Sequence, residues 1–167
     1  MSDDEDGQRL QRLADREDLR DLVLRYCLAL DDRDWGALQG LFATHARFAG
    51  GQGPQEILAH LREGREAHGR TIHAPTGQLV QFQSPTNASG VVFILGLLNA
   101  GGKTTAAAMR YEDAYVREDG RWLFARRRVH TQFALPWTDM AQAMTDAFPV
   151  RWPGTSPAPA AVFRVEA

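Results

Sequence analysis

Between Thr71 and Phe133 four strand-like runs are separated only by Ser84-Pro85-Thr86-Asn87, Gly101-Gly102 and Asp119-Gly120. Turns this short reverse the chain, so the runs form an antiparallel meander of four long strands. Thr71 to Gln83 ends in alternating apolar residues (Leu79, Val80, Phe82). Gly90 to Asn99 is almost continuously apolar, as expected of a central strand. Thr104 to Arg117 and Arg121 to Phe133 flank Asp119-Gly120, a dipeptide suited to a primed hairpin turn.

What precedes the sheet reads as helix. Residues 1 to 8 form a polar tail. From Gln8 to Leu30, apolar residues recur at Leu10, Leu13, Leu19, Leu22, Val23, Tyr26, Cys27 and Leu30, a helical period. Asp31 and Asp32 end it, and Asp34 is placed to cap a second helix, Trp35 to Phe42. His45 to Ala49 reads as a brief strand, and Gly50-Gly51-Gln52-Gly53 as a loop. Pro54 suits the first turn of a third helix, about 54 to 67. Helices first and sheet second give an α+β class. The expected architecture is a curved antiparallel sheet wrapped around N-terminal helices, a cone with an internal pocket. Residues 8–137 make this domain, and 138–167 an extension with a short helix (Thr138 to Ala147) and a Pro-rich tail.

Several function classes drop out on composition. The 167 residues suit one domain with a real core, and a formal charge of −2 gives no footprint for nucleic acid. One cysteine, Cys27, excludes an internal disulfide framework and a Cys-rich metal site. It sits in the apolar helix as a small hydrophobe. No stretch approaches the roughly 18 apolar residues of a membrane span, and the acidic start is unlike a signal peptide, so the cytoplasm is the expected location. There is no phosphate loop, dinucleotide glycine fingerprint, His-Glu-x-x-His or Gly-x-Ser-x-Gly motif. No metal and no cofactor are expected.

The polar residues that remain are few. Asp31 lies i+8 from Val23 and i+4 from Cys27, on one helical face, where a carboxylate needs a partner. It either solvates the helix end, a poor place for negative charge, or does chemistry; a register slip would give that place to Asp32. Alternation from Leu79 back through Gly77 and Pro75 gives His73 the same facing as Leu79. In Arg126-Arg127-Arg128, Arg127 shares parity with Leu123, Ala125 and Val129. It either points inward, needing Asp31 or a substrate anion, or joins solvated arginines on the rim. Tyr26 is core packing or a hydroxyl reaching the cleft. Val23, Leu30, Phe48, Leu79, Val91, Phe93 and Leu95 are the expected pocket walls, suited to a small apolar substrate, polycyclic or terpenoid.

Tyr26 to Phe42, the Arg-Thr-Ile-His segment and Arg-Tyr-Glu-Asp-Ala-Tyr-Val-Arg-Glu-Asp-Gly-Arg-Trp resemble SnoaL-like proteins. These belong to the nuclear-transport-factor-like superfamily, with its scytalone dehydratase and hexachlorocyclohexane dehydrochlorinase branch. The resemblance covers roughly residues 10 to 137. It implies the cone fold and an Asp–His pair matching Asp31 and His73, with an Arg matching Arg127. It also implies departures: the dehydrochlorinase's lysine falls at Tyr26, and a dehydratase tyrosine at Leu30. Residues 95 to 97 offer no second histidine, and Gly77 stands where members often carry Asn.

The expectation is a cofactor-independent lyase or isomerase, with His73 as base, Asp31 orienting it, Arg127 stabilising negative charge and Tyr26 donating a hydrogen bond. Its reaction is dehydration or a related β-elimination. Polyketide cyclase-type aldol ring closure and non-catalytic ligand binding are the alternatives. A homodimer or homotrimer is expected, with the apolar tail (Phe148, Val150, Trp152, Val162, Phe163) covering either the cone's mouth or an interface.

Overall fold

The computed structural model describes residues 3–66 and 68–162. Helix α1 (Asp3–Asp32) is followed by α2 (Trp35–Gln39), strands β1 (Phe42–Phe48) and β2 (Gly51–Gln52), and α3 (Gly53–Glu66). The long strands follow: β3 (His68–Phe82), β4 (Asn87–Ala100), β5 (Lys103–Glu118) and β6 (Arg121–Pro136). They form one curved six-stranded sheet of order β2-β1-β6-β5-β4-β3. The meander is antiparallel as expected, but the whole sheet is mixed, because β1 runs parallel to β6.

Both two-residue turns are built as their composition requires. Asp119 and Gly120 have φ of 48° and 76°, and Gly101 and Gly102 have 57° and 75°. Two successive left-handed residues give the turn whose twist matches the flanking strands.

Helix α1 begins well before Gln8, so the expected polar tail is helical from Asp3 onward. Glu5 and Asp6 near its start complement the positive end of the helix dipole. The expected stripe is not buried along its length. Leu10 and Leu13 stay exposed, and burial starts at Leu19 and continues through Leu22, Val23, Tyr26, Cys27 and Leu30. Asp34 caps α2, its carboxylate accepting from the Ala37 N–H at 2.9 Å. The second helix ends at Gln39 because Phe42 and Ala43 already belong to β1.

One irregularity decides which residues face the helix. Pro75 pairs with Ile94 but Gly77 with Phe93, so Thr76 is an extra residue in β3. Such a bulge moves every following side chain to the other face. Thr71 and His73 are buried before it and Val80 after it, whereas Leu79 is exposed. The expected parity of His73 with Leu79 is therefore wrong. On β4 the inward set is Val92, Ile94 and Leu98, and Phe93 and Leu95 point outward. Leu79, Val91, Phe93 and Leu95 share the outer face and do not line the interior. A near-continuous apolar run has no alternation to reveal its facing.

The extension differs from expectation as well. Trp137–Gln142 is a 3-10 helix rather than an α-helix over Thr138 to Ala147. Beyond it the chain returns to β6: the Ala134 N–H donates to Pro149, Arg151 N–H to Ala134, and Ala161 N–H to Thr131. Trp152 packs on the core, Val162 is exposed, and Phe163 lies outside the described residues. No helix of the described residues is long and apolar enough to cross a membrane.

Candidate active site

Asp31 and His73 meet. The end of α1 and the buried face of β3 bring the His73 Nδ1 to 2.6 Å from Asp31 Oδ1. The His73 backbone N–H donates to Oδ2 at 2.7 Å, and the Thr71 hydroxyl to Oδ1 at 2.7 Å. Three donors converge on a carboxylate that would otherwise sit uncompensated at the negative end of a helix. Burial raises the Asp31 pKa. The hydrogen bonds from the His73 ring, Thr71 and the His73 backbone N–H outweigh it and hold the carboxyl below its ordinary range.

The other face of the imidazole identifies its tautomer. Arg65, in the last turn of α3, brings Nη2 to 3.4 Å from His73 Nε2. A guanidinium only donates and a carboxylate only accepts. The proton therefore sits on Nδ1, and the lone pair on Nε2. The His73 side chain is 3% exposed and that of Asp31 17%. A hollow of about 250 Å³ is lined by Arg33, Trp35, Arg62, Arg65 and Glu66, of which Arg65 also contacts His73.

Arg127 points inward but belongs to a different pair. Its expected parity with Leu123 and Ala125 is broken by an extra residue, Ala125, between Phe124 and Arg126, so Arg127 lies on the inner face with Phe124. Its anion is Asp113 on β5, not Asp31: Nε and Nη2 donate to the two carboxylate oxygens at 2.7 Å each. Both side chains are fully buried. Tyr26, Tyr111 and Phe124 cover the guanidinium, with ring centroids at 4.2, 4.5 and 4.1 Å. Burial favours loss of the Arg127 charge, but Asp113 more than offsets it and raises the pKa. The Tyr115 hydroxyl donates to Asp113 at 2.9 Å and accepts from Gln78 at 3.1 Å.

Tyr26 is 1% exposed and makes edge contacts with Phe42, Phe48, Tyr111 and Phe124. Burial raises its pKa against the opposing charges of Arg127 and Arg65. Among the expected wall residues, Val23, Leu30 and Phe48 do lie between helix and sheet. Burial pushes the Cys27 thiol up to about 11, an inert state for a thiol.

The remaining histidines are elsewhere. His45 is exposed, His60 and His68 contact backbone carbonyls, and His130 approaches Glu112 at 3.2 Å. No group of three or more metal-ligating side chains occurs among the described residues. Thr71, Arg65 and Asp113 were not anticipated. Asp113 had a signal, a lone carboxylate two residues from each of Tyr111 and Tyr115 on one strand face. Arg65 had none, since it stands in a helix rich in charge.

The family model for the SnoaL-like domain matches residues 11–128. The chain is 27% identical over 137 residues to the gamma-hexachlorocyclohexane dehydrochlorinase of Sphingobium indicum, covering 76% of this chain and 86% of that protein. The crystal structure of LinA superimposes with a TM-score of 0.72 at 28% identity, over 77% of this chain and 92% of the other. A scytalone dehydratase-like protein of Novosphingobium aromaticivorans matches with a TM-score of 0.73 over 93% and 98%, its 19% identity speaking to fold alone.

Proposed function

We propose, for a chain that belongs to the SnoaL-like domain family, a cofactor-independent lyase in which His73 removes a proton from carbon. Similarity to a dehydrochlorinase supports a lyase or isomerase kind of activity. The observation that carries the finer reading is the 2.6 Å contact between His73 Nδ1 and Asp31, which puts the lone pair of the base on Nε2, the nitrogen Arg65 approaches at 3.4 Å.

In the proposed step Nε2 takes the proton and the C–H electron pair becomes the new C=C bond. The bond to the leaving group breaks with its electrons on that group. Asp31 steadies the imidazolium that results, and Thr71 and the His73 backbone N–H keep the carboxylate in place. General-base assistance of this kind is worth about 10²–10⁴-fold. The substrate is a small apolar molecule, now supported by Val23, Leu30 and Phe48 rather than by the four outward residues. A halogenated cyclohexane and a hydroxylated polycycle represent the dehydrochlorination and dehydration variants.

Chloride release from gamma-hexachlorocyclohexane, and water loss from hydroxylated polycycles, should be assayed in the wild type and in His73→Ala. A folded His73→Ala that turns over as fast as the wild type sinks the reading. A ligand-binding role is the second reading, favoured by Arg65 standing over Nε2. It predicts ligand affinity without turnover in the wild type.

The same reading has the protein working in the cytoplasm as a homodimer or homotrimer. The outer sheet face supports self-association, because Ile72, Leu79, Phe93 and Leu95 are exposed there. Sedimentation of a monomer at micromolar concentration would remove that part.

A further inference from the structure

We infer that Arg65, rather than Arg127, is the cation that meets negative charge at His73, and that this place accepts a compact monovalent anion. The chemistry rests on the elimination reading, though anion binding itself requires no turnover. Arg65 and Arg127 differ in how their charge is used. Arg127 is neutralised by two 2.7 Å bonds to Asp113 and roofed by three aromatic rings. Arg65 has no carboxylate within ion-pair distance among the described residues. Among the described residues its side chain's one hydrogen-bond contact is the long one to His73 Nε2, and its Nη1, like that of Arg127 beneath its aromatic roof, is buried with no partner.

A buried guanidinium N–H without an acceptor is an unfilled position in the site. What fills it must accept hydrogen bonds and carry negative charge. The surroundings favour the same sign, since the hollow beside Arg65 is lined by Arg33, Arg62 and Arg65 against the one carboxylate of Glu66. Arg33 is tied to the His68 and Gly69 carbonyls, and Arg62 lies over the Trp35 ring at 5.4 Å. These two form the rim, and Arg65 is the member that reaches the base.

Proton transfer couples the two groups. Once Nε2 carries a proton it can no longer accept from Arg65, and two cations face each other. An anion between them relieves that repulsion. The reaction creates one at the same moment, as a departing halide or hydroxide, or as the enolate oxygen where a carbonyl takes up the electron pair. The resting contact between Arg65 and Nε2 thus holds the place of the anion.

The test follows the His73 side-chain ¹⁵N resonances during separate titrations with sodium bromide and sodium acetate at constant ionic strength. A saturable shift of Nε2 in the wild type, weakened roughly tenfold or more in Arg65→Gln, is the expected result. Bromide alone identifies a halide site, and acetate, alone or with bromide, an oxyanion site. Arg65→Lys keeps the charge but not the fork, and should bind more weakly than the wild type and more tightly than Arg65→Gln. It serves alone if Arg65→Gln does not fold. No saturable shift in the wild type, or an unchanged one in both variants, overturns the proposal. A wild type that binds the anion yet turns nothing over sinks the elimination reading and leaves the anion site standing.

Discussion

The pairs Asp113–Arg127 and Asp31–His73 both lie between α1 and the sheet, and they teach opposite lessons. Asp113 and Arg127 are closed: bidentate, fully buried and covered by aromatic rings. Asp31 and His73 are open: the carboxylate keeps 17% of its side-chain surface, and the free ring nitrogen faces an arginine that lacks a carboxylate. The closed pair uses two strong bonds to hold β5 to β6, with Arg127 Nη1 left unpartnered. The open pair holds a ring still and leaves its far atom available. A carboxylate therefore serves a strut in one place, against a guanidinium, and a reagent in the other, against a neutral imidazole.

Breaking each pair should separate these roles. The largest effect is expected on turnover: His73→Ala should cost about 10²–10⁴-fold in kcat in any elimination assay the wild type supports, with its fold intact by circular dichroism. Asp113→Asn should instead act on stability. It leaves Arg127 buried and unpaired, a loss of about 3–5 kcal/mol in urea unfolding. If Asp31→Asn destabilised as much as Asp113→Asn, the contrast would collapse, since Asp31 leaves behind a neutral imidazole, a hydroxyl and a backbone N–H rather than a buried charge.

The next test concerns the faces of β4. Ile94→Ala should cost about 2–5 kcal/mol, and Leu95→Ala within roughly 0.5 kcal/mol in the monomer. Equal costs would contradict the observed facing.

The pH effects are smaller. Asp31 has a native pKa below its ordinary 3.8, so its pairing contributes stability that is complete above about pH 4 and lost as pH falls through the lowered native value. Unfolding midpoints of the wild type and Asp31→Asn should accordingly converge in acid. Cys27 behaves in the opposite sense. Its thiol is raised from 9.0 to about 11, so stability present below pH 9.0 is lost as pH rises toward 11, and native alkylation should be slow until unfolding.

Much of the fold was legible because short turns and periodic helices are local signals. Asp119-Gly120 specified its turn, and Asp34 its cap. Asp31 and His73 were legible for related reasons: one interrupts a helical stripe, and the family resemblance supplied the other. Where alternation had to be carried across an irregularity, the reading failed. Thr76 and Ala125 are single extra residues, and nothing in their side chains announces a bulge. Leu79 was assigned inward for that reason, and Arg127 was turned inward beside the wrong neighbours. Asp113 escaped notice because its partner was sought on α1, and Arg65 because a surface-like helix gave no sign that its end reaches the base.

Thr76 also bears on how such a chain can change through descent. Loss of one residue between His73 and Val80 would absorb the bulge and leave them six positions apart on a regular strand, so both would still face the helix. Loss of a second residue would have no bulge to absorb it. With His73 held to Asp31, Val80 would then turn to solvent; with Val80 held, the histidine would leave the helix. A lineage free to vary every surface letter of this strand can give up one letter of its count, and not two.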